Sequence, residues 1–264
     1  MSMSVTAAGF AGSLAAGAAT GLGTIPIFLL SRSIAERQEA LFLSFAAGVM
    51  LGASFFSLLI PALAAAQALG FHKAPATLIA VAGLLSGAGA ICLVHQLLPH
   101  EHFHLGPDGA LATARMRVRR VWLFVAAITL HNLPEGLAVG VSFGSGDFAA
   151  GAKVATGIGL QNMPEGLAVA ASLAASLGYA RWKAAGIATL TGLVEPIAGL
   201  AGAATVAAAQ ILLPWGLAFA AGAMLFVISR EIIPETHNTG RGNVITTALL
   251  LGLCVMMFLD IVLS

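Results

Sequence analysis

His131-Asn132-Leu133-Pro134-Glu135-Gly136-Leu137-Ala138-Val139-Gly140 is answered further along by Gln161-Asn162-Met163-Pro164-Glu165-Gly166-Leu167-Ala168-Val169-Ala170. The two stretches share the frame x-Asn-x-Pro-Glu-Gly-Leu-Ala-Val-x, and each lies inside a long apolar run. Residues four apart stack on one helix face, so His131 pairs with Glu135 and Gln161 with Glu165, with Asn132 and Asn162 beside them. Each proline removes a backbone donor and leaves the carbonyl four residues earlier, Leu130 or Leu160, without its helical partner. Glu195-Pro196 repeats the step and is expected to free Gly192. Freed backbone inside a membrane is tolerated only where it lines protein or a wet cavity, so these kinks mark a binding or transport site.

Outside the motifs the chain is nearly devoid of charge. Of 264 residues, 59% are hydrophobic and 9% charged, with 12 Lys and Arg against 11 Asp and Glu; an ordinary soluble domain carries about 25% charged residues. That excludes a water-soluble globule, a disordered chain and a nucleic-acid binder with a basic face. What remains is an all-α polytopic membrane protein in a lipid bilayer. A membrane helix needs about 20 mostly apolar residues, and the punctuation predicts eight spans, at 5–30, 41–69, 76–99, 121–143, 150–177, 183–209, 211–233 and 243–263. They form one transmembrane domain over 1–264, and its one roomy connection is the cytoplasmic His-containing loop 100–120. The start lacks a basic n-region and reads as a first span, not a removed signal. Cys92 and Cys254 read as small apolar fillers.

Cytoplasmic loops carry the excess of Lys and Arg. Arg32, Arg37, Arg115, Arg117, Arg119, Arg120, Arg181, Lys183, Arg230 and Arg241 fall on odd-numbered loops, and only Lys73 and Lys153 on even ones. Both termini are therefore expected outside. Consecutive spans run antiparallel, which makes the repeated motif an inverted pair, the arrangement many secondary transporters build around a substrate. His131, Gln161 and Glu195 each sit about 10–13 residues from a span end, near the middle of a ~30 Å core. An ionisable residue there costs roughly 2.5–3.5 kcal/mol and is a functional candidate by default. A lone Asn or Gln can serve as glue between helices, but that does not explain four ionisable residues at one depth. One imidazole (His131), three carboxylates (Glu135, Glu165, Glu195) and three amides (Asn132, Gln161, Asn162) suit a divalent transition metal such as Zn²⁺. Without a cation such carboxylates repel or protonate, which leaves proton coupling open.

These residues resemble the ZIP (Zrt/Irt-like) metal transporters, specifically their GufA-type prokaryotic branch. The likeness spans the chain, is strongest from His131 to His237, including Glu231-Ile-Ile-Pro-Glu-Thr-His237, and extends back to Ala46–Ser57. The resemblance implies a 3+2+3 inverted-repeat fold of eight helices and a homodimer in the prokaryotic cytoplasmic membrane. It implies metal moved toward the cytosol by an elevator-like shift of helices one, four, five and six. It also implies a binuclear centre: His131, Glu135, Gln161 and Glu165 in a first site with Met50 at its edge, and Asn132 and Glu195 in a second, bridged by Glu135 and Glu165. Ser57 would lie on the external approach. Asn162 stands where other members have Asp, and this predicts a weaker second site.

Peripheral candidates remain. His95, His100, His102 and His104 form a short tract that either receives metal or is a solvated loop. Glu231, Glu235 and His237 form either an exit way-station or a surface cluster in which Arg230 neutralises Glu231. Asp147, Asp260 and His72 are expected to be solvated, and Arg115 to Arg120 to set topology and touch anionic lipid. The rival class is an intramembrane metal-dependent hydrolase, which needs three strong ligands, an open water position and a general base; the His-Glu-x-x-His spacing of His100-Glu101-His102-Phe103-His104 falls in the loop 100–120, and His131 is the histidine expected at mid-membrane. A magnesium or calcium channel favours all-oxygen sites, against which His131 argues.

Overall fold

Apolar runs of this length satisfy their backbone only by hydrogen-bonding within themselves, which selects the helix. The computed structural model describes residues 4–29, 32–97, 114–237 and 241–262, and every element among them is helical. Helix α1 (Val5–Gly23) is capped by Ser4, whose hydroxyl accepts the Ala7 N–H at 3.2 Å, and a turn leads into α2 (Pro26–Leu29). Helix α3 (Arg32–Gly52) continues through a π-helical segment, Ala53–Leu59, into α4 (Ile60–Ala68). Then come α5 (Lys73–Leu97), α6 (Ala114–Gly144) and α7 (Phe148–Ser176). Asp147 caps α7 by accepting the Ala149 and Ala150 N–H groups at 2.9 and 3.0 Å. Like His72, it is exposed, as expected. Helix α8 (Arg181–Thr191) passes through a 3-10 turn, Gly192–Val194, into α9 (Glu195–Ala208). The chain closes with α10 (Leu213–Val227), a second π-helical segment at Ile228–Ile232, α11 (Ile233–His237) and α12 (Gly242–Val262).

Among the described residues, seven helices are long and apolar enough to cross a membrane: Val5–Leu29, Ala40–Ala68, Lys73–Val94, Phe124–Gly144, Arg181–Ala208, Gln210–Arg230 and Gly242–Val262. The chain is thus an all-helical polytopic membrane protein. Helix α7 has 29 residues, ample length. It falls short on hydropathy because any membrane-length stretch of it contains Gln161-Asn162-Met163-Pro164-Glu165. Leu78, Leu85, Ile197, Phe258 and Ile261 are exposed, which suits lipid and not water.

Packing sorts the helices into two groups. Helices α1 and α6 pack on each other and each on α7 and α9, while α5 packs on α10 and α3 on α12. The groups meet chiefly where α3 lies on α7 and α10 on α6. Small residues make this closeness possible, since lipid offers no hydrophobic drive between helices and close van der Waals contact must replace it.

The prolines behave in two ways. Pro134 and Pro164 sit inside α6 and α7, which run on through them. Pro196 does not sit mid-helix, and the expected loss of a partner at Gly192 is corrected: the Gly192 carbonyl accepts the Glu195 N–H. The 3-10 turn recovers that acceptor by closing at i+3. Pro196 then falls in the first turn of α9, where a missing donor costs nothing.

Candidate metal site

Six of the polar residues singled out in the sequence are buried within the bundle: Asn132 and Glu135 on α6, Gln161, Asn162 and Glu165 on α7, and Glu195 at the start of α9. Gln161 Nε2 donates to Glu135 Oε1, which joins the two copies of the motif directly. Asn162 Nδ2 donates twice, to the Ala16 carbonyl of α1 at 2.8 Å and to Glu195 Oε1 at 2.7 Å. Asn132 Nδ2 donates to the Thr191 carbonyl at 2.9 Å, at the C-terminal end of α8 where helical acceptors lack intrahelical donors. Glu195 lies within Coulombic reach of both Glu135 and Glu165.

The two motifs make parallel contacts with different neighbours. In each, the asparagine donates to a backbone carbonyl of an adjacent helix, Thr191 for Asn132 and Ala16 for Asn162. In each, the glycine after the glutamate lets two backbones touch. A Cβ on Gly136 would collide with the Glu195 backbone, and one on Gly166 with the Thr20 carbonyl. The motif of α6 is thereby seated on α9 and that of α7 on α1.

The amide orientations follow from chemistry. Carbonyls only accept, so the amide nitrogens of Asn132 and Asn162 must face Thr191 and Ala16, and their oxygens face elsewhere. Among the described residues, Asn132 Oδ1, Gln161 Oε1, Asn162 Oδ1 and Glu195 Oε2 are buried without a hydrogen-bond donor. Buried oxygen acceptors lacking donors are rare in folded proteins. A cation is the species that satisfies several at once, and amide and carboxylate oxygens are suitable ligands. No three His, Cys, Asp or Glu side chains form a ready metal cage among the described residues. Within this set, Gln161 stands against Glu135 and Asn162 against Glu195, so neutral amides sit beside two of the carboxylates.

Other expected site residues are scattered. Met50 is fully buried on α3, which packs on α7. The side chains of His131, His95, Glu231 and Glu235 lie outside the described residues, as do His100, His102 and His104 altogether. His237 is exposed at the end of α11. Its Nδ1 donates to the Ile233 carbonyl at 2.9 Å, so its Nε2 accepts from Thr246 Oγ1 at 3.3 Å. Ser57 is buried and donates to Asp260 Oδ1 at 2.7 Å, and Lys153 Nζ lies 3.1 Å from the same oxygen. Asp260 is 13% exposed, which corrects its reading as a solvated residue. Sequence reasoning placed α1 as a span but missed its contacts at the site: the Ala16 carbonyl carries no sequence signal, and Thr20, buried with its hydroxyl unpartnered among the described residues, looks like any small residue in a Gly/Ala-rich span.

Comparison with known proteins extends this picture. The family model described as ZIP Zinc transporter matches residues 95–260. The chain is 45% identical to the zinc transporter GufA of Myxococcus xanthus over 253 residues, covering 96% of this chain and 98% of the relative. It is 42% identical to the zinc transporter ZIPB of Bordetella bronchiseptica over 252 residues, 94% of this chain and 79% of that one. Human zinc transporter ZIP11 shares 34% identity over 296 residues, 83% and 86% of the two chains. Likeness that runs through nearly all of this sequence, and of its bacterial relative, fixes its kinship: the chain belongs to the ZIP zinc transporter family, on the GufA-type branch, and is a transporter rather than an enzyme.

Proposed function

We propose that this chain carries divalent transition-metal ions, Zn²⁺ foremost and Cd²⁺, Fe²⁺ and Mn²⁺ alongside, toward the cytoplasm through the cluster on α6, α7 and α9. The observation that carries this reading is the set of donor-less buried oxygens on Asn132, Gln161, Asn162 and Glu195 beside Glu135 and Glu165. Such a shell is complete only with a cation in it. His131, one turn before Glu135, supplies the nitrogen ligand that favours zinc over magnesium or calcium. Neutral amides bind metal weakly, which suits an ion that must leave. A hydrolase would instead need three firm ligands and a placed water.

In this reading α7 is the fifth span and brings the count to eight, its low hydropathy being the cost of carrying ligands, and both termini lie outside in a bacterial inner membrane. The inverted motif pair, with like contacts to α9 and α1, fits a 3+2+3 repeat. The ion moves when α1, α6, α7 and α9 shift as one body against α3, α5, α10 and α12 in an elevator-like step. The lipid-facing surfaces of α5 and α12 leave room for a homodimer. Met50 and Ser57 line the approach; His95, His100, His102, His104, Glu231, Glu235 and His237 lie toward the exit. Asn162 keeps the centre to one tightly held ion, because its amide nitrogen already occupies Glu195 Oε1. The test is zinc uptake by proteoliposomes enclosing a zinc-responsive dye. Uptake is expected for Zn²⁺ and its competitors, and a protein that moves none of them while a matched control does would defeat the proposal.

A further inference from the structure

Lys153, Gly157 and Gln161 succeed one another at intervals of four on α7 and so share a face, each about 6 Å from the next. Gln161 belongs to the metal cluster. At Gly157 the face meets Met256 of α12, which is fully buried and also fills the space beside Gly52 of α3. One turn further from the cluster, Lys153 Nζ pairs with Asp260 Oδ1, which takes a hydrogen bond from Ser57 in the π-helical segment after α3. Asp260 itself lies four residues beyond Met256, on the same face of α12. Along one line there is thus a ligand layer, a thioether layer and a charged layer. The charged layer joins α7 to α12 and to the segment that follows α3, across the boundary between the two helix groups.

We propose that the Lys153–Asp260 ion pair, seated by Ser57, is the latch that holds the outer end of the translocation path shut in this conformation. The inference rests on the transport reading for its purpose, and on the contact geometry alone for its place. A fully buried pair would be too costly to part, and a fully exposed one too weak to hold. At 13% exposure each, these side chains are within reach of water that can replace either partner as the helices separate. The layer beneath holds by van der Waals packing of Met256 against Gly157 and Gly52, and the charged layer adds a polar tie across the same boundary.

The test uses the full chain carrying Cys92→Ala and Cys254→Ala, in proteoliposomes. With Lys153→Cys and Asp260→Cys added, a short bis-methanethiosulfonate bridge is expected to cut zinc uptake about tenfold or more, and a reductant to restore it. Bridged protein that takes up zinc at the unbridged rate would overturn the latch. A second measurement needs no transport. Ile158 is fully buried on α7. In an Ile158→Cys background, labelling by a membrane-impermeant maleimide is expected to quicken about threefold or more when the near-isosteric Asp260→Asn is added. An unchanged labelling rate would overturn the latch whether or not zinc moves. Quickened labelling in a protein that moves no zinc would uphold the clasp between the helix groups and defeat the transport reading instead.

Discussion

Asn162→Asp is the most informative single change, because it preserves shape and inverts chemistry. Asn162 Nδ2 gives two hydrogen bonds, to Ala16 O at 2.8 Å and to Glu195 Oε1 at 2.7 Å, at a site with 1% exposure. An ionised Asp has no donor, so both partners would face an acceptor. The bond to a neutral carbonyl is worth about 1 kcal/mol and the one to a carboxylate about 1.5–3 kcal/mol, before any repulsion between the two carboxylates. The metal-free variant is therefore expected to lose roughly 2.5–4 kcal/mol, which for a chain of this size corresponds to a fall in Tm of roughly 5–16 °C. A bound cation reverses the sign, because the new carboxylate becomes a ligand and no longer opposes Glu195. Zinc is thus expected to raise the Tm of Asn162→Asp by more than it raises that of the wild type, and to bind with higher stoichiometry. Asn162→Ala is the control: it loses the same hydrogen bonds without adding charge, so zinc should give no extra rescue. The assay is thermal unfolding of detergent-purified protein, with and without zinc, beside a direct count of bound metal. An Asn162→Asp protein as stable as wild type without metal, or one whose deficit zinc leaves untouched, would refute the reasoning.

Glu165→Ala and His131→Ala are each expected to abolish zinc uptake in proteoliposomes while leaving membrane insertion intact; wild-type flux in both would remove the site assignment. Gly136→Ala and Gly166→Ala place a methyl group against the backbones of Glu195 and Thr20, and each is expected to cost about 3 kcal/mol or more, since the obstacle is backbone and not a movable side chain. Thermal unfolding reads this, and a change of under about 1 kcal/mol, the range of a tolerated swap, would show that the helices do not approach as closely as described. Asn132→Ala removes the tie to Thr191 and is expected to lower both stability and the uptake rate, whereas Asn132→Asp should lower stability further by setting an acceptor against a carbonyl. Replacing His100, His102 and His104 together by Ala is expected to leave uptake at the wild-type level, measured in the same vesicles.

Membrane residence, the helical class and the residues of the central cluster were legible in the sequence because each rests on a local property. Charge scarcity and apolar run length depend on composition alone. The paired Asn-x-Pro-Glu-Gly frames expose the cluster because ionisable residues in apolar runs are costly wherever the helix ends up. The same logic misled at Glu195-Pro196, where local rules predicted a kink with an orphaned Gly192 carbonyl and the chain instead broke into two helices and recovered the bond. Helix α7 was legible as a span at 150–177 from the punctuation of its apolar run, although Gln161, Asn162 and Glu165 lower its average hydropathy.

Only the tertiary structure decided which polar group meets which. That Asn162 spends its amide on Ala16 and Glu195, that Gln161 stands against Glu135, and that Lys153 pairs with Asp260 are contacts between helices 33 or more residues apart in two of these cases and 26 in the other. Sequence spacing fixes which face of its own helix a residue occupies, whereas its partner depends on how closely neighbouring backbones approach. In this bundle that approach is set by glycines such as Gly136 and Gly166, whose missing side chains bring α9 and α1 against the motifs. The sequence by itself thus determined that a group of ionisable and amide residues lies within a helical membrane protein. The packing decided that the group sets neutral amides beside two of its carboxylates, and that a charged clasp stands two turns from it.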